Sequence, residues 1–497
     1  MLYELHVPTF NATTGEPGTF DTAMIRLPEL ATLGVNAIEL MPLGQFSGSA
    51  STGYNPGYIF AVDYAYGGPD SFRIYVNATH ALGVAVVLDV VYNHVDGLDL
   101  WQFDGWSIEG NLCSWCTPNA TNYVDGGIYF FQDSRAHTPY SHARFDVGRP
   151  EVCQYLFDNV TRWLEDRFLD GLRFDSVVSI RNIQDQYRNW QLVQPVPEGI
   201  ALLQRFNQHV QSSQPWKIMI AEDLQGDSLI TAPLSSGGYG FNAQWDDNFC
   251  GKLRWAAIAS LDNERNIAGL AGSIAAMNGA TAFQSILYDE NHDKDDPNQG
   301  GGRLPAIIGN GHADNWFAKK QSTLAACVVL TAPGIPMLFM GQEFLEYRPF
   351  PNSNGYPEPI DWSRKDTYRG IWTLYRDMIN LRLNSSNTRG LRGRNIHVLP
   401  VFSDNAMVYH RWDQGGPGDD VIVVCNFSNQ RFQNYQVGMP RPGMWRVRFN
   451  SDSRDYDAYF DNWPSFDTDA NGAALNGMPC SADISFGAYT CLVLSQD

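Results

Sequence analysis

No stretch of this chain is apolar over the roughly 18 residues that a membrane-crossing helix needs, so a membrane is not an expected partner. Positive charge is also scarce. Lys and Arg total 34 against 54 Asp and Glu, a net charge of −20. That balance sets aside nucleic acid and anionic lipid and leaves a neutral substrate open. The opening residues Met1-Leu2-Tyr3-Glu4-Leu5-His6 lack the basic and apolar regions of a signal peptide. A trimmed leader leaves no trace, so the compartment, secreted or cytoplasmic, stays open.

Cysteine is thin as well, with 8 in 497 residues, and no second pair stands at zinc-finger spacing from Cys113 and Cys116. A local disulfide or two free thiols suits that loop better than a metal site. Cys153, Cys250, Cys327 and Cys425 sit in apolar or aromatic surroundings and read as buried thiols. Asn-x-Ser/Thr triplets start at Asn11, Asn77, Asn119, Asn159, Asn384 and Asn426. Several fall inside helical or strand patterns, where chance accounts for them. What is present is globular: 44% hydrophobic, 13% aromatic, with no tract biased enough to be disordered. The length asks for two or three domains.

The hydrophobic pattern has a rhythm. Residues 2–7 read as a strand, 22–32 as a helix, 36–41 as a strand stopped by Pro42, 70–82 as a helix and 84–91 as a fully apolar strand. From His94 to Phe145 the rhythm stops in a segment rich in Gly, Asn, Asp and aromatics, too long for a plain loop. Pro150 then opens a helix at its favoured position, and Gly171 opens a fourth strand. Strands follow at 217–222, 241–244, 282–288 and 337–340, with helices at 198–211, 319–330 and 366–383. Eight strands alternating with helices predict an α/β fold, a (β/α)₈ TIM barrel. A doubly wound open sheet is the alternative, but no glycine fingerprint follows the first strand. Beyond Arg392, short strands at 397–402, 406–411, 421–426, 443–449, 484–486 and 489–494 predict an antiparallel β-sandwich. The expected domains are the barrel at 1–93 and 146–391, an inserted subdomain after strand three at 94–145, and the C-terminal β domain at 392–497.

Within Asp170-Gly171-Leu172-Arg173-Phe174-Asp175-Ser176-Val177 an Arg and an Asp stand two apart on one strand and point the same way. A guanidinium beside a carboxylate keeps the acid ionised, as a carboxylate nucleophile requires, although a strand-end ion pair looks the same. Catalytic groups of such barrels lie at the carboxyl ends of the strands. Reading those ends collects Asp89, Asn93 and His94, then Arg173 and Asp175, then Glu222, then His292 and Asp293. Cleaving a sugar acetal needs this equipment, one carboxylate to attack and one carboxyl to protonate the leaving oxygen.

The chain resembles the α-amylase family, glycoside hydrolase family 13. The resemblance is carried by Asp89-Val90-Val91-Tyr92-Asn93-His94, Gly171-Leu172-Arg173-Phe174-Asp175, Ala221-Glu222-Asp223 and Glu290-Asn291-His292-Asp293. It implies that Asp175 is the nucleophile, Glu222 the acid and then the base, and Asp293 the group gripping hydroxyls of the distorted sugar. It implies that Arg173 holds Asp175 ionised, that Asp89 is a structural acid behind Arg173, and that His94 and His292 bind neighbouring hydroxyls. Tyr54, in Gly53-Tyr54-Asn55-Pro56, matches the aromatic platform under the cleaved sugar, and Asn93 matches a calcium ligand, although the chemistry itself asks for no cofactor. Retention of configuration follows if the carboxyls of Asp175 and Glu222 stand roughly 5–5.5 Å apart.

Typical α-amylases carry Lys-His where this chain has Val178-Ser179. The run from Ser176 to Ile180 is similar to glucan branching enzymes. The run from Gly240 to Asp247, with Glu290-Asn291-His292-Asp293, is similar to trehalose-releasing maltooligosyl trehalohydrolases. The expected substrate is therefore an α-1,4-glucan or maltooligosaccharide. Transfer to form α-1,6 branches is expected ahead of α-amylase-type hydrolysis or trehalose release. A non-catalytic glucan-binding member is the alternative of another class; such members lose one of the acids, and here Asp175, Glu222 and Asp293 are all present.

Overall fold

The computed structural model describes the chain except residues 14–15, 47, 96–128, 132, 142, 186, 188, 352–355 and 401–403. Eight parallel strands close into a ring: β1 (Leu2–Leu5), β2 (Ala37–Leu40), β3 (Ala85–Val90), β4 (Gly171–Phe174), β5 (Ile218–Ala221), β6 (Ala243–Trp245), β7 (Ser285–Leu287) and β8 (Ile335–Phe339). Each pairs with its neighbours in sequence, and β1 pairs with β8 through Leu2 opposite Met337. The first strand is shorter than expected. Pro8 cannot continue a ladder, and Val7–Phe10 turns into a short helix instead.

Strand alternation sorts the barrel into a helix-facing shell and a lumen. Val86 and Leu88 of β3 join the core under the helices. Leu2, Val87, Ile220, Ala243, Ile286 and Met337 meet instead in a separate cluster inside the ring. Two residues further along the same strands, the side chains on the lumen side are Glu4, Asp89 and Glu222. The lumen is therefore apolar at its base and ionic at its mouth. Gly171 permits the tight fit of β4 against β5: a Cβ there would lie 2.3 Å from the Ile218 carbonyl oxygen.

Helices follow most strands, among them Gly68–Ala81 after β2, Pro150–Thr161 after β3, Pro197–Ser213 after β4, Trp316–Thr331 after β7 and Arg369–Arg382 after β8. The alternation fails once. Between β5 and β6 there is no α-helix, only turns and one short 3₁₀ segment at Leu234–Ser236. Pro233 and the run Ser235-Ser236-Gly237-Gly238 explain it, since Gly237 takes a left-handed φ of 81° and ends the segment. Two hairpins escaped the pattern, Gly44–Phe46 with Pro56–Val62 and Asn182–Asp185 with Gln191–Pro195. The expected subdomain at 94–145 falls largely outside the described residues, as do Cys113 and Cys116. Cys250, Cys327 and Cys425 are buried, but Cys153, in the first turn of its helix, is partly exposed.

The C-terminal domain is antiparallel: β9 (Asn395–Leu399), β10 (Ala406–Trp412), β11 (Val421–Asn426), β12 (Phe432–Met439), β13 (Met444–Asn450), β14 (Cys480–Phe486) and β15 (Cys491–Ser495). The main sheet runs β9-β10-β11-β15-β13 and ends in the two-residue strand Thr468–Asp469 beside β13, and β12 pairs with β14 across from it. β12 was not anticipated, because its first half is polar and exposed. Both faces of the main sheet are covered. Val421, Val423 and Cys425 of β11 pack on the barrel core, while Ile422 and Val424 pack toward β12 and β14. Lys320 of the barrel reaches Asp452 at 2.6 Å, both buried. No helix among the described residues is long and apolar enough to cross a membrane.

Candidate active site

The mouth is organised by one guanidinium. Arg173, fully buried on β4, donates from Nη1 to Asp89 Oδ2 at 2.6 Å and to Asp175 Oδ1 at 2.9 Å. Its Nη2 stands 3.1 Å from Glu222 Oε2. Three carboxylates from β3, β4 and β5 are thus gathered by one cation, whose plane lies 4.2 Å over the Trp245 ring. Ser176, just after Asp175, adopts a left-handed φ of 38°. In that conformation its N–H donates to Glu222 Oε2 at 2.8 Å. The neighbouring Asp223 is tied to Arg181 at 2.7 Å, which fixes the end of β5.

Asn93 and His94 complete the left side of the site. Asn93 Nδ2 donates to Asp175 Oδ2 at 2.6 Å, while its Oδ1 faces His94 Nδ1. His94 in turn meets the Tyr54 carbonyl oxygen at 2.9 Å through Nε2. Both ends of the Asn93 amide are therefore engaged. Among the described residues no group of three or more His, Cys, Asp or Glu is placed to hold a metal ion. Asn93 holds Asp175 through its Nδ2.

Tyr54 donates its hydroxyl to Asp89 Oδ2 at 2.6 Å and stacks on His292, ring centroids 4.6 Å apart and 17° from parallel. His292 Nδ1 meets Glu4 Oε1 at 2.5 Å, and its Nε2 lies 3.5 Å from Asp293 Oδ1. The loop bearing His292 and Asp293 is pinned through Glu290, which accepts from Arg303 at 3.1 Å and from the Leu304 N–H at 2.6 Å. Asp293 stays partly open to solvent while Asp175 and Glu222 are buried. All the expected residues, Tyr54, Asp89, Asn93, His94, Arg173, Asp175, Glu222, His292 and Asp293, thus stand around one mouth.

Burial dominates the electrostatics. It pushes the Glu222 carboxyl up to about 8, with Asp175 and Asp293 adding to the shift and Arg173 opposing it. It pushes Asp89 up to about 6, despite the pull of Arg173. Burial works against charge on His292, but Asp293 and Glu4 outweigh it and hold the imidazolium up to about 10. The site therefore pairs a carboxyl that keeps its proton at neutral pH with a second carboxylate held by Arg173 and Asn93.

Four residues at the mouth were missed. Glu4 and Glu39 are buried acids of β1 and β2, and burial drives Glu39 well above the usual carboxylate range. Trp245 closes the floor from β6. Tyr140 stands exposed over the rim with its ring 5.6 Å from that of His94. A signal for the first two was present, an isolated acid inside a short, otherwise apolar strand. Nothing in the sequence near Tyr140 marked it.

The comparisons follow this geometry. The family model described as alpha amylase, catalytic domain, matches residues 8–109 and 120–354, and that described as alpha amylase, C-terminal all-beta domain, matches 402–497. The malto-oligosyltrehalose trehalohydrolase of Saccharolobus solfataricus is 30% identical over 72% of this chain and 59% of its own length. A 1,4-alpha-glucan branching enzyme of Oceanobacillus iheyensis is 26% identical over 91% of this chain and 69% of its own. The chain thus spans about three fifths of the length of the curated relatives it matches. The crystal structure of an alpha-amylase from Geobacillus thermoleovorans complexed with acarbose superposes with a TM-score of 0.71 at 18% identity, over 99% of this chain and 97% of that one, which speaks to the fold. Matched over most of its length by the catalytic and C-terminal models, the chain belongs to the α-amylase family.

Proposed function

We propose that the protein cleaves α-1,4-glucosidic bonds with retention of configuration, through a glycosyl-enzyme on Asp175. The observation that carries this reading is the sharing of Arg173 by Asp175 and Glu222, at 2.9 and 3.1 Å. Bridging by one guanidinium keeps the two carboxyls close, on the retaining rather than the inverting side of the separation rule. Asp175 attacks the anomeric carbon, and Glu222 gives its proton to the leaving glycosidic oxygen. Glu222, now a carboxylate, takes a proton from the incoming hydroxyl as that oxygen displaces Asp175. Burial of Glu222, with its carboxyl pushed to about 8, keeps the proton available at neutral pH. Asp293, His94 and His292 bind ring hydroxyls, Tyr54 lies under the sugar, and Asp89 acts only through Arg173 and Tyr54.

The second substrate decides the product. Transfer to a 6-hydroxyl of another α-1,4-glucan chain, forming a branch, is favoured because branching-enzyme relatives match over 91% and 92% of this chain. Trehalose-releasing hydrolysis is the second reading, supported by the 30% identity to the trehalohydrolase. Incubation with amylose, counting new α-1,6 linkages against reducing ends, separates them; reducing ends without branches sink the transfer reading, and trehalose released from maltooligosyl trehalose establishes the other. Glu222→Gln must abolish both activities, and full turnover by that variant sinks the scheme.

A further inference from the structure

The missing helix after β5 has left a cavity. On the outer flank of the barrel, a groove of about 520 Å³ lies between the 224–231 segment, the outward face of β6 and the residues leading into β7. That volume falls in the range of small-ligand sites, roughly 300–1,000 Å³. Its floor is Gln244, which points away from the lumen because its strand neighbours Ala243 and Trp245 point in. Gln244 Nε2 donates to the Asp227 carbonyl oxygen at 3.2 Å, but its Oε1, shielded from solvent, accepts no hydrogen bond. A shielded amide oxygen without a donor is costly unless something brings one.

The lining says what that something is. It includes Gln225, Asn248, Ser273, Thr281 and Gln284, with two acids already engaged, Asp247 by Lys294 at 2.5 Å and Asp246 by the Phe249 N–H at 3.0 Å, and no Lys, Arg or His stands among the lining residues. An anionic ligand therefore finds no cation there. The amides and hydroxyls offer alternating donors and acceptors, and the apolar surface is limited to side chains such as Leu224 and Met277. A neutral, hydroxyl-rich chain fits that surface. The upper end of the groove reaches Leu224, two residues after Glu222, and Asp246, next to Trp245 at the mouth. We infer that this flank groove is a second seat for α-glucan, holding a distal stretch of a long chain while another stretch occupies the mouth. The inference rests on the α-glucan reading above.

The test compares long and short substrates on the full chain. Gln244→Leu removes both amide functions at nearly constant volume, and Gln284→Trp fills the groove. Each variant is expected to lower kcat/KM on amylose by about tenfold, the loss of one good contact set, and to leave kcat/KM on maltoheptaose within twofold. Equal loss on both substrates, or no loss on amylose in Gln244→Leu, overturns the inference, and if Gln284→Trp does not fold, Gln244→Leu decides alone. Should the unaltered chain fail to turn over amylose at all, it is the α-glucan reading that falls.

Discussion

The barrel mouth and the barrel's junction with the C-terminal domain both bury charge, and they handle it in opposite ways. At the junction, Lys320 is buried against Asp452 at 2.6 Å and Thr490 at 3.2 Å. Asp452 also accepts the Trp463 N–H at 2.7 Å. Lys320 and Asp452 there complement each other. At the mouth, Glu4, Glu39, Asp89, Asp175, Glu222 and Asp293 crowd around Arg173 and His292. Asp89 Oδ1 and Glu39 Oε2 accept no hydrogen bond. The Lys320–Asp452 pair is arranged for stability, whereas at the mouth burial, with neighbouring carboxylates adding to it, keeps a proton on Glu222 at neutral pH. Such crowding destabilises the fold locally and is tolerated where chemistry needs it.

The comparison can be broken in four places. The largest effect belongs to the carboxyls at the mouth: Asp175→Asn and Glu222→Gln are expected to cut kcat by about 10²–10⁴ or more, with the melting temperature unchanged or raised. A matching fall in melting temperature erases the contrast with the junction. Next, Lys320→Ala leaves Asp452 buried without its cation and should cost about 3–5 kcal/mol in denaturant unfolding, while kcat stays within twofold of the parent.

The third effect is on pH. Glu222 is held near 8 against an ordinary value of 4.5. A raised carboxyl means the folded state binds the extra proton, so this contribution to stability is complete below about pH 4.5 and is lost as pH rises through 8. Thermal unfolding of the parent should therefore lose stability across that window relative to Glu222→Gln. The rate of glycosyl-enzyme formation should fall above pH 8 for the same reason. Parallel stability curves for the two proteins rule the shift out. The smallest effect is Glu4→Gln, which removes one of the two acids holding His292 charged. A few-fold loss in kcat/KM is expected, growing toward alkaline pH as His292 gives up its proton; a loss independent of pH leaves Glu4 a packing residue only.

Much of the site was legible because a strand places its chemistry by parity. Arg173 and Asp175, two apart, had to face one way, while Glu222 closed an apolar run, Asp89 interrupted one and Asp293 ended the polar stretch after another. The eight strands showed for the same reason, as buried runs set off by polar loop residues. The stretch between β5 and β6 forms no α-helix because of its local Pro and Gly content, although helices follow most of the other strands. β12 was hidden because half of it faces solvent and carries no apolar stripe. Asn93 shows a different limit. Its type suits a cation or a carboxylate equally, and only the tertiary structure shows its Nδ2 donating to Asp175 Oδ2 at 2.6 Å.

Composition and periodicity by themselves determined an acidic α/β barrel with a β domain behind it, and named the acids at its strand ends. Both follow from local rules, which depend on neighbours a few residues away. Tertiary structure alone decided which acid holds a proton. That depends on how deeply closure of the ring buries Glu222, on Arg173 being shared among three carboxylates, and on Glu4 reaching His292 from 288 residues away in the chain. Electrostatic energy is set by distance and dielectric in space, and chain separation carries no record of either.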